Sequence, residues 1–220
     1  MHKRFFQFAI LIALLPLFSS AQKIFTEGSI KYKMSVSGVD DPQSSAMLQN
    51  MMMTFYIKNG KTATEMDMGF VKNKTIEVDE NNYVLLMEMM GNKYKVTMNK
   101  PQMEARKNMP KDSDYEITVT NDTKVIAGYN CKKAIIKMNK DNQTFYAYFT
   151  DEIKSAASQS NSYYGKINGM LLEYSFGEKG MTMTMTADSI SFDPVSDDVF
   201  TVPATGYTEM SLDQLKKLGQ

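Results

Sequence analysis

Three kinds of side chain in this sequence could do chemistry, and the most abundant is the thioether. Of 220 residues, 20 are Met, against one Cys, one His and no Trp. Met181, Met183 and Met185 alternate with Thr182, Thr184 and Thr186, and Met51, Met52 and Met53 are consecutive. Thioethers are soft donors that accept Cu(I). They are also flexible apolar groups that fill cores or line cavities for ligands of variable shape. A copper site needs several thioethers converging on one point, whereas alternation spreads them along a strand face. No copper and no other cofactor is therefore expected. For any one Met, core filling and cavity lining both stay open.

The second kind is the lone thiol, Cys131, followed by Lys132 and Lys133. Two adjacent cations would lower its pKa and make it reactive. A small apolar side chain packed at a strand start is the preferred reading. The third kind is the carboxylate. Glu65, Asp67, Glu77, Asp79 and Glu88 fall in strand-like segments and could pair as glycosidase acid and nucleophile. Alternating charge on an outer face explains them better. Ser-His-Asp and Cys-His catalysis needs an imidazole, and His2 falls in the export segment described next. One Cys without His cannot build a structural zinc site. A non-catalytic protein is expected.

The first residues read as a secretory signal, segment 1–21. His2, Lys3 and Arg4 precede an apolar run from Phe5 to Phe18, and Ser19-Ser20-Ala21 supplies small residues for cleavage before Gln22. The run is shorter than the ~20 residues of a spanning helix, and no Cys follows Ala21 to carry a lipid. The expectation is a periplasmic or secreted protein without a transmembrane segment, its residues 22–220 forming a single domain. Lys+Arg and Asp+Glu number 25 each, so nucleic acid is not expected as a partner.

The elements that must position these groups are mostly strands. Ile30, Tyr32, Met34 and Val36 alternate with Lys31, Lys33, Ser35 and Ser37, the period of a half-buried strand. Met53, Phe55 and Ile57 repeat it, and Asn59-Gly60 is a hairpin signal. The run Lys61–Met68 follows, then Ile76 and Val78, a turn at Asn81-Asn82, Tyr83–Met89, a turn at Gly91-Asn92, and Tyr94, Val96 and Met98. The polar stretch 101–114 reads as a loop or a short helix. Tyr115, Ile117 and Val119 resume the pattern. A turn at Gly128, Cys131–Met138, and Phe145, Ala147 and Phe149 come next. Residues 151–166 read as a loop. Met170, Leu172, Tyr174 and Phe176 precede a turn at 177–180. In the last strand Met181–Met185 and Ile190–Phe192 lie in opposite phase, which predicts a bulge near Ala187–Ser189. Short helices are predicted at 42–52, opened by Asp41-Pro42, and at 211–218, opened by the capping box of Ser211 and Gln214.

Several of these runs resemble a known family. Thr123–Lys133, Tyr148–Ile153 and Val199–Tyr207 are similar to segments of an exported bacterial domain-of-unknown-function family that resembles the LolA/LolB-like lipoprotein-carrier superfamily. The similarity in order and strand pattern covers about residues 25–210. It implies an unclosed antiparallel half-barrel, mainly β with minor α content, whose concave face is covered by short helices and takes acyl chains. Such carriers use an Arg to gate a lid, and Arg106 is the one Arg after the export segment.

Together these readings predict about ten or eleven antiparallel strands forming that half-barrel. The expected role is binding or carrying an acyl chain, lipid or other apolar ligand. Met181, Met183, Met185, Phe145, Phe149, Met170, Leu172, Tyr174 and Phe176 are the expected cavity lining, with helices 42–52 and 211–218 or a bound chain as cover. A lipid or lipoprotein acyl chain and an envelope protein are the candidate partners. The alternatives are an envelope interaction module without a small-molecule site, and Met-rich Cu(I) binding.

Overall fold

The computed structural model describes residues 22–41, 51–107, 114–140, 143–155, 164, 166–178 and 180–218. The export segment 1–21 and most of the predicted helix 42–52 lie outside the described residues, as do most of the predicted loop 151–166 and residues 108–113 of the polar stretch 101–114.

Eleven strands have seven or more residues. They are β2 (Glu27–Ser37), β3 (Met52–Lys58), β4 (Lys61–Asp67), β5 (Val71–Glu77), β6 (Asn82–Met89), β7 (Asn92–Asn99), β8 (Tyr115–Ile126), β9 (Tyr129–Met138), β10 (Thr144–Thr150), β12 (Met170–Glu178) and β13 (Met181–Ser191). Three short ones are β1 (Lys23–Phe25), β11 (Ile153–Ser155) and β14 (Thr208–Glu209). Among the described residues the helices are α1 (Lys100–Lys107) and α2 (Leu212–Leu218), with a 3-10 turn at Asp197–Phe200.

The long strands and β14 form one unclosed 12-stranded sheet in the order β14-β7-β6-β5-β4-β3-β2-β13-β12-β10-β9-β8. Two meanders share it. One runs outward from β2 to β7. The other runs inward from β8 and ends when β13 pairs antiparallel with β2. The fold is thus mainly β and open, with short helices on its surface. β1 and β11 form a separate parallel pair.

Local chemistry sets the register. Asn59 and Gly60 both have positive φ, 49° and 85°, so a two-residue turn joins β3 to β4 and Lys58 faces Lys61. The next such turn is at Met90-Gly91, not Gly91-Asn92: φ is 51° and 81°, and Met89 faces Asn92. The predicted bulge is present. Ala187 faces Tyr32, Ser189 faces Lys31 and Ile190 faces Ile30. One extra residue in β13 returns Ile190 to the face of Met185, which is the phase repair that the apolar pattern requires. Beside it Gly28, at φ 144°, lets the chains close up; a Cβ there would lie 2.1 Å from the Ser191 carbonyl oxygen.

Two apolar expectations fail, one just past a strand end and one at an irregularity inside a strand. Val78 lies one residue beyond β5 and is exposed, and Val119 is exposed where the β8–β9 register shifts between Val119 and Thr123. Within 101–114 the chain does form a helix, α1. Asn99 and Gln102 cap it reciprocally: the Asn99 amide donates to Gln102 Oε1 (2.9 Å) and the Gln102 amide to Asn99 Oδ1 (3.0 Å). Ser211 and Gln214 repeat that box at α2, at 2.7 and 3.2 Å.

After β13 the chain wraps the β7 end of the sheet. Lys58 Nζ donates to the Val195 carbonyl (2.8 Å), and the Val195 amide donates to Glu27 Oε1 (3.0 Å). Val199, Phe200, Val202 and Tyr207 then cover Ala63, Ile76, Val84 and Leu86 on one face. β14 pairs parallel with β7 at the edge. α2 follows on the opposite face, where Met210, Leu212 and Leu215 join Met103 of α1 over Tyr83, Leu85, Val96 and Met98. The predicted cover of the Met row by the 211–218 helix is therefore not found. β14 tethers α2 to β7, and β6, β5, β4, β3 and β2 lie between β7 and β13.

Candidate functional site

Strand β2 organises the site. Its alternation buries Ile30, Tyr32, Met34 and Val36 on one face. Register extends this face sideways. Met183 faces both Phe176 and Val36, and Met185 faces both Tyr174 and Met34. Tyr32 faces Met53, and Met53 faces Met66. The Met34 amide donates to the Met51 carbonyl (3.0 Å), placing Met51 beside Met34. Thioethers from β13, β2, β3 and β4 thus share one surface, and Met68 packs against the same cluster. Direct cross-strand neighbours have Cβ atoms about 5 Å apart, so the alternation that separates Met residues along a strand is offset by pairing across strands.

This surface grades from sealed to open. Met34, Met51 and Met185 are buried, whereas Met53, Phe55, Met66, Met68, Phe176, Met181 and Met183 are only half-buried. An aromatic group closes one side. Tyr174 stacks on Phe176 (centroids 6.1 Å) and meets Tyr32 (5.9 Å) and Tyr164 (5.6 Å) edge-on. The Tyr32 hydroxyl donates to the Leu171 carbonyl (2.8 Å). Burial, then the neighbouring Tyr174, pushes the Tyr32 phenol well up from its ordinary pKa, so both phenols stay neutral.

A polar strip borders the Met surface on β4 and β5. Thr64 faces Thr75, and Thr62 Oγ1 donates to Glu77 Oε2 (2.6 Å). Asn73 faces Met66 on one side and Met87 on the other. Its Oδ1 is buried without a hydrogen-bond partner, the only such side-chain atom among the described residues. An unmet buried acceptor costs roughly 1–3 kcal/mol.

The opposite face carries the charge. Asp67 faces Lys72, Lys72 faces Glu88 and Glu88 faces Lys93. Lys72–Asp67 (3.3 Å), Lys93–Glu88 (2.8 Å) and Lys74–Glu65 (3.1 Å) are ion pairs of that ladder. The hydrogen bond from Lys93, then its charge, lowers the Glu88 pKa. Asp79 instead caps its turn, accepting from the Asn81 amide (2.8 Å). Glu65, Asp67 and Glu88 therefore belong to the outer face, as expected, while Glu77 lies on the Met side.

Near β12 that second face is partly covered, and Thr182, Thr184 and Thr186 on it are half-buried. Ser175 and Glu173 are buried there. Beyond its irregularity β8 leans in: Lys124 Nζ donates to both Glu173 oxygens (3.0 and 2.8 Å) and sits over the Tyr148 ring, and Thr186 Oγ1 donates to Glu173 (2.8 Å). Cys131, facing Lys124 across the strands, is fully buried, and burial pushes its thiol up to about 11. A thiol in that state is protonated at neutral pH and inert.

The predicted lining residues divide. Met181, Met183, Met185, Tyr174 and Phe176 converge on the Met surface. Met170 and Leu172 belong to the same cluster but are sealed inside it. Phe145 and Phe149 pack in a separate cluster with Tyr164, Ile167 and Leu171. Arg106 lies in α1, on the helix that packs at β6 and β7 rather than at the Met surface. The surface also contains Met53, Phe55, Met66 and Met68, whose strand phase signalled burial but not that β3 and β4 adjoin β2 and β13. Asn73 carried no sequence signal beyond being a polar residue in a strand. Among the described residues no helix is long and apolar enough to cross a membrane.

No protein-family model and no curated protein matches the chain. Among solved structures it is similar to "Structure of PNGF-II in C2 space group", with 17% identity, a TM-score of 0.45, and coverage of 87% of this chain and 32% of that one. The corresponding values for "Structure of PNGF-II in P21 space group" are 17%, 0.47, 88% and 33%. The chain spans about a third of those structures, and a similarity of this size carries no argument about function.

Proposed function

We propose that this chain is an exported, non-catalytic binding or carrier protein for an acyl chain, lipid or similarly apolar ligand, acting in the periplasm or outside the cell. One observation carries the reading: a Met-rich apolar surface across β12, β13, β2, β3 and β4 stays half-buried, while the apolar surface of β6 and β7 is sealed by two capped helices. Unbranched thioethers repack around chains of different length, and each ligand CH₂ buried contributes about 0.8 kcal/mol. The resemblance to the LolA/LolB-like carriers and the signal-like segment 1–21 support the same reading.

A second reading, an envelope protein-interaction module, draws on edge strand β8. Its outer side pairs with no strand among the described residues, and Val119 and Val125 on it are 53% and 65% exposed. An extended partner segment could add to such an edge.

Uptake of a fluorescent, uncharged acyl ester separates the two. Wild-type protein should take it up saturably. Met183→Asp, which puts a charge on the half-buried surface, should abolish uptake while the protein still unfolds cooperatively. Absence of saturable uptake by the wild type overturns the carrier reading and leaves the interaction module standing.

A further inference from the structure

The Met surface differs from the other side of the same strands in charge as well as in polarity. Lys31, Lys33, Lys58, Lys61, Lys72, Lys74, Lys93 and Lys95 all stand in register on the opposite face, as their partners Asp67, Glu65 and Glu88 do. In strands β2–β7, β12 and β13, no described Lys falls on the Met side. The charged residue types that do fall there are acids, Glu77, held by Thr62, and Glu178, which faces Met181 in register. An anionic headgroup on this surface would lose its hydration, find no counter-charge and meet a carboxylate. What the surface offers a headgroup is the strip of Thr64, Thr75 and Asn73, and within it one acceptor, Asn73 Oδ1, that nothing in the protein satisfies. Asn73 stands in the same row as Met53 and Met66, so a chain lying on those thioethers brings its polar end to that oxygen by displacing the Met66 or Met87 side chain.

From this we infer that the ligand of the Met surface is an uncharged amphiphile, a single apolar chain ending in a hydrogen-bond donor such as a hydroxyl or an amide N–H, and that Asn73 Oδ1 accepts from that donor. A free fatty-acid anion is not its ligand. The inference rests on the apolar-ligand reading above and narrows it to a chemical class.

Three competitors of equal chain length test it by displacement of the fluorescent acyl ester: dodecanol, dodecanoate and methyl dodecanoate. At a pH well above the carboxylate pKa, dodecanol should compete better than dodecanoate by about tenfold or more, because the anion must be desolvated unpaired. It should also compete better than the donorless methyl ester, by about fivefold for one hydrogen bond. In Asn73→Leu the alcohol and ester should become equal. The wild-type comparison stands by itself if that variant does not fold. Dodecanoate binding as tightly as dodecanol overturns the inference, and so does an alcohol-to-ester ratio of one in the wild type or one unchanged in folded Asn73→Leu. If none of the three competes while the fluorescent ester still binds, the inference falls and the carrier reading survives. If the ester itself does not bind, both fall.

Discussion

The apolar surface of β6 and β7 and that of β13, β2, β3 and β4 lie on the same face of one sheet, yet they are finished differently. Over β6 and β7, Leu85, Val96 and Met98 are almost wholly out of water beneath Met103 of α1 and Leu212 and Leu215 of α2. Both helices are fixed by reciprocal caps, and β14 pins the second to the sheet edge. Over β13, β2, β3 and β4, Met53, Met66, Met181 and Met183 keep part of their surface exposed. Residue choice follows the same division. The sealed region mixes Leu, Val, Tyr and Met into a fixed packing. The open region is dominated by Met, whose unbranched chain tolerates a changing neighbour. A sealed core stabilises the fold, and an open one keeps apolar surface available for a ligand.

The largest effect should come from truncation on the two sides. Leu85→Ala is expected to cost roughly 2–5 kcal/mol, because the cavity it leaves under the helices cannot collapse. Met66→Ala, on a surface already half in water, should cost under about 1 kcal/mol. Urea unfolding of both variants checks the contrast, and equal losses would break it. Next in size are the caps. Asn99→Ala and Ser211→Ala should each cost about 1 kcal/mol, and each should also raise the exchange rate of amides in β6 and β7 more than in β2 and β13. Uniform acceleration would show that the helices do not seal one region in particular.

The smallest effect concerns Cys131, under the lap of β8 on the second face. Burial raises its thiol from 9.0 to about 11. Above pH 9.0 the unfolded chain loses the proton while the folded one keeps it, so this contribution is full below that pH and is lost as pH rises toward about 11. Cys131→Ala should flatten this alkaline decline by on the order of 1 kcal/mol. Identical pH profiles for the two proteins, or rapid labelling of native Cys131 at neutral pH, would contradict a buried thiol.

Short-range features were legible in the sequence because short-range physics makes them. The period-two run of β2, the Asn59-Gly60 turn, the Ser211–Gln214 cap and the phase shift that demands a bulge at Ala187–Ser189 all depend on neighbours within a few residues. The Asn99–Gln102 cap has the same signature but stands beside Pro101, which reads as a breaker although proline is tolerated in a first helical turn. The turn at Met90-Gly91 lies one residue before the position the sequence suggests, because Met, unlike Asn, rarely takes positive φ. Strand alternation told which Met residues share a face of β13. It could not tell that β13 lies against β2, or that β14 would draw α2 to β7 and away from the Met row. Those are contacts between distant parts of the chain. Phe145 and Phe149 show the same limit: their strand phase matches that of the Met residues, but Tyr164 and Ile167 claim them for another cluster.

The account rests on an open Met surface that takes a ligand and a sealed one that does not, and methionine methyl groups report on both. In protein labelled at the methionine methyls, titration with an uncharged acyl amphiphile should shift Met53, Met66, Met68, Met181 and Met183 saturably and together. Met98 of β7 and Met103 of α1, packed between helix and sheet, should stay in place. Shifts centred on Met98 and Met103, or no saturable shift at any of these methyls, would contradict it.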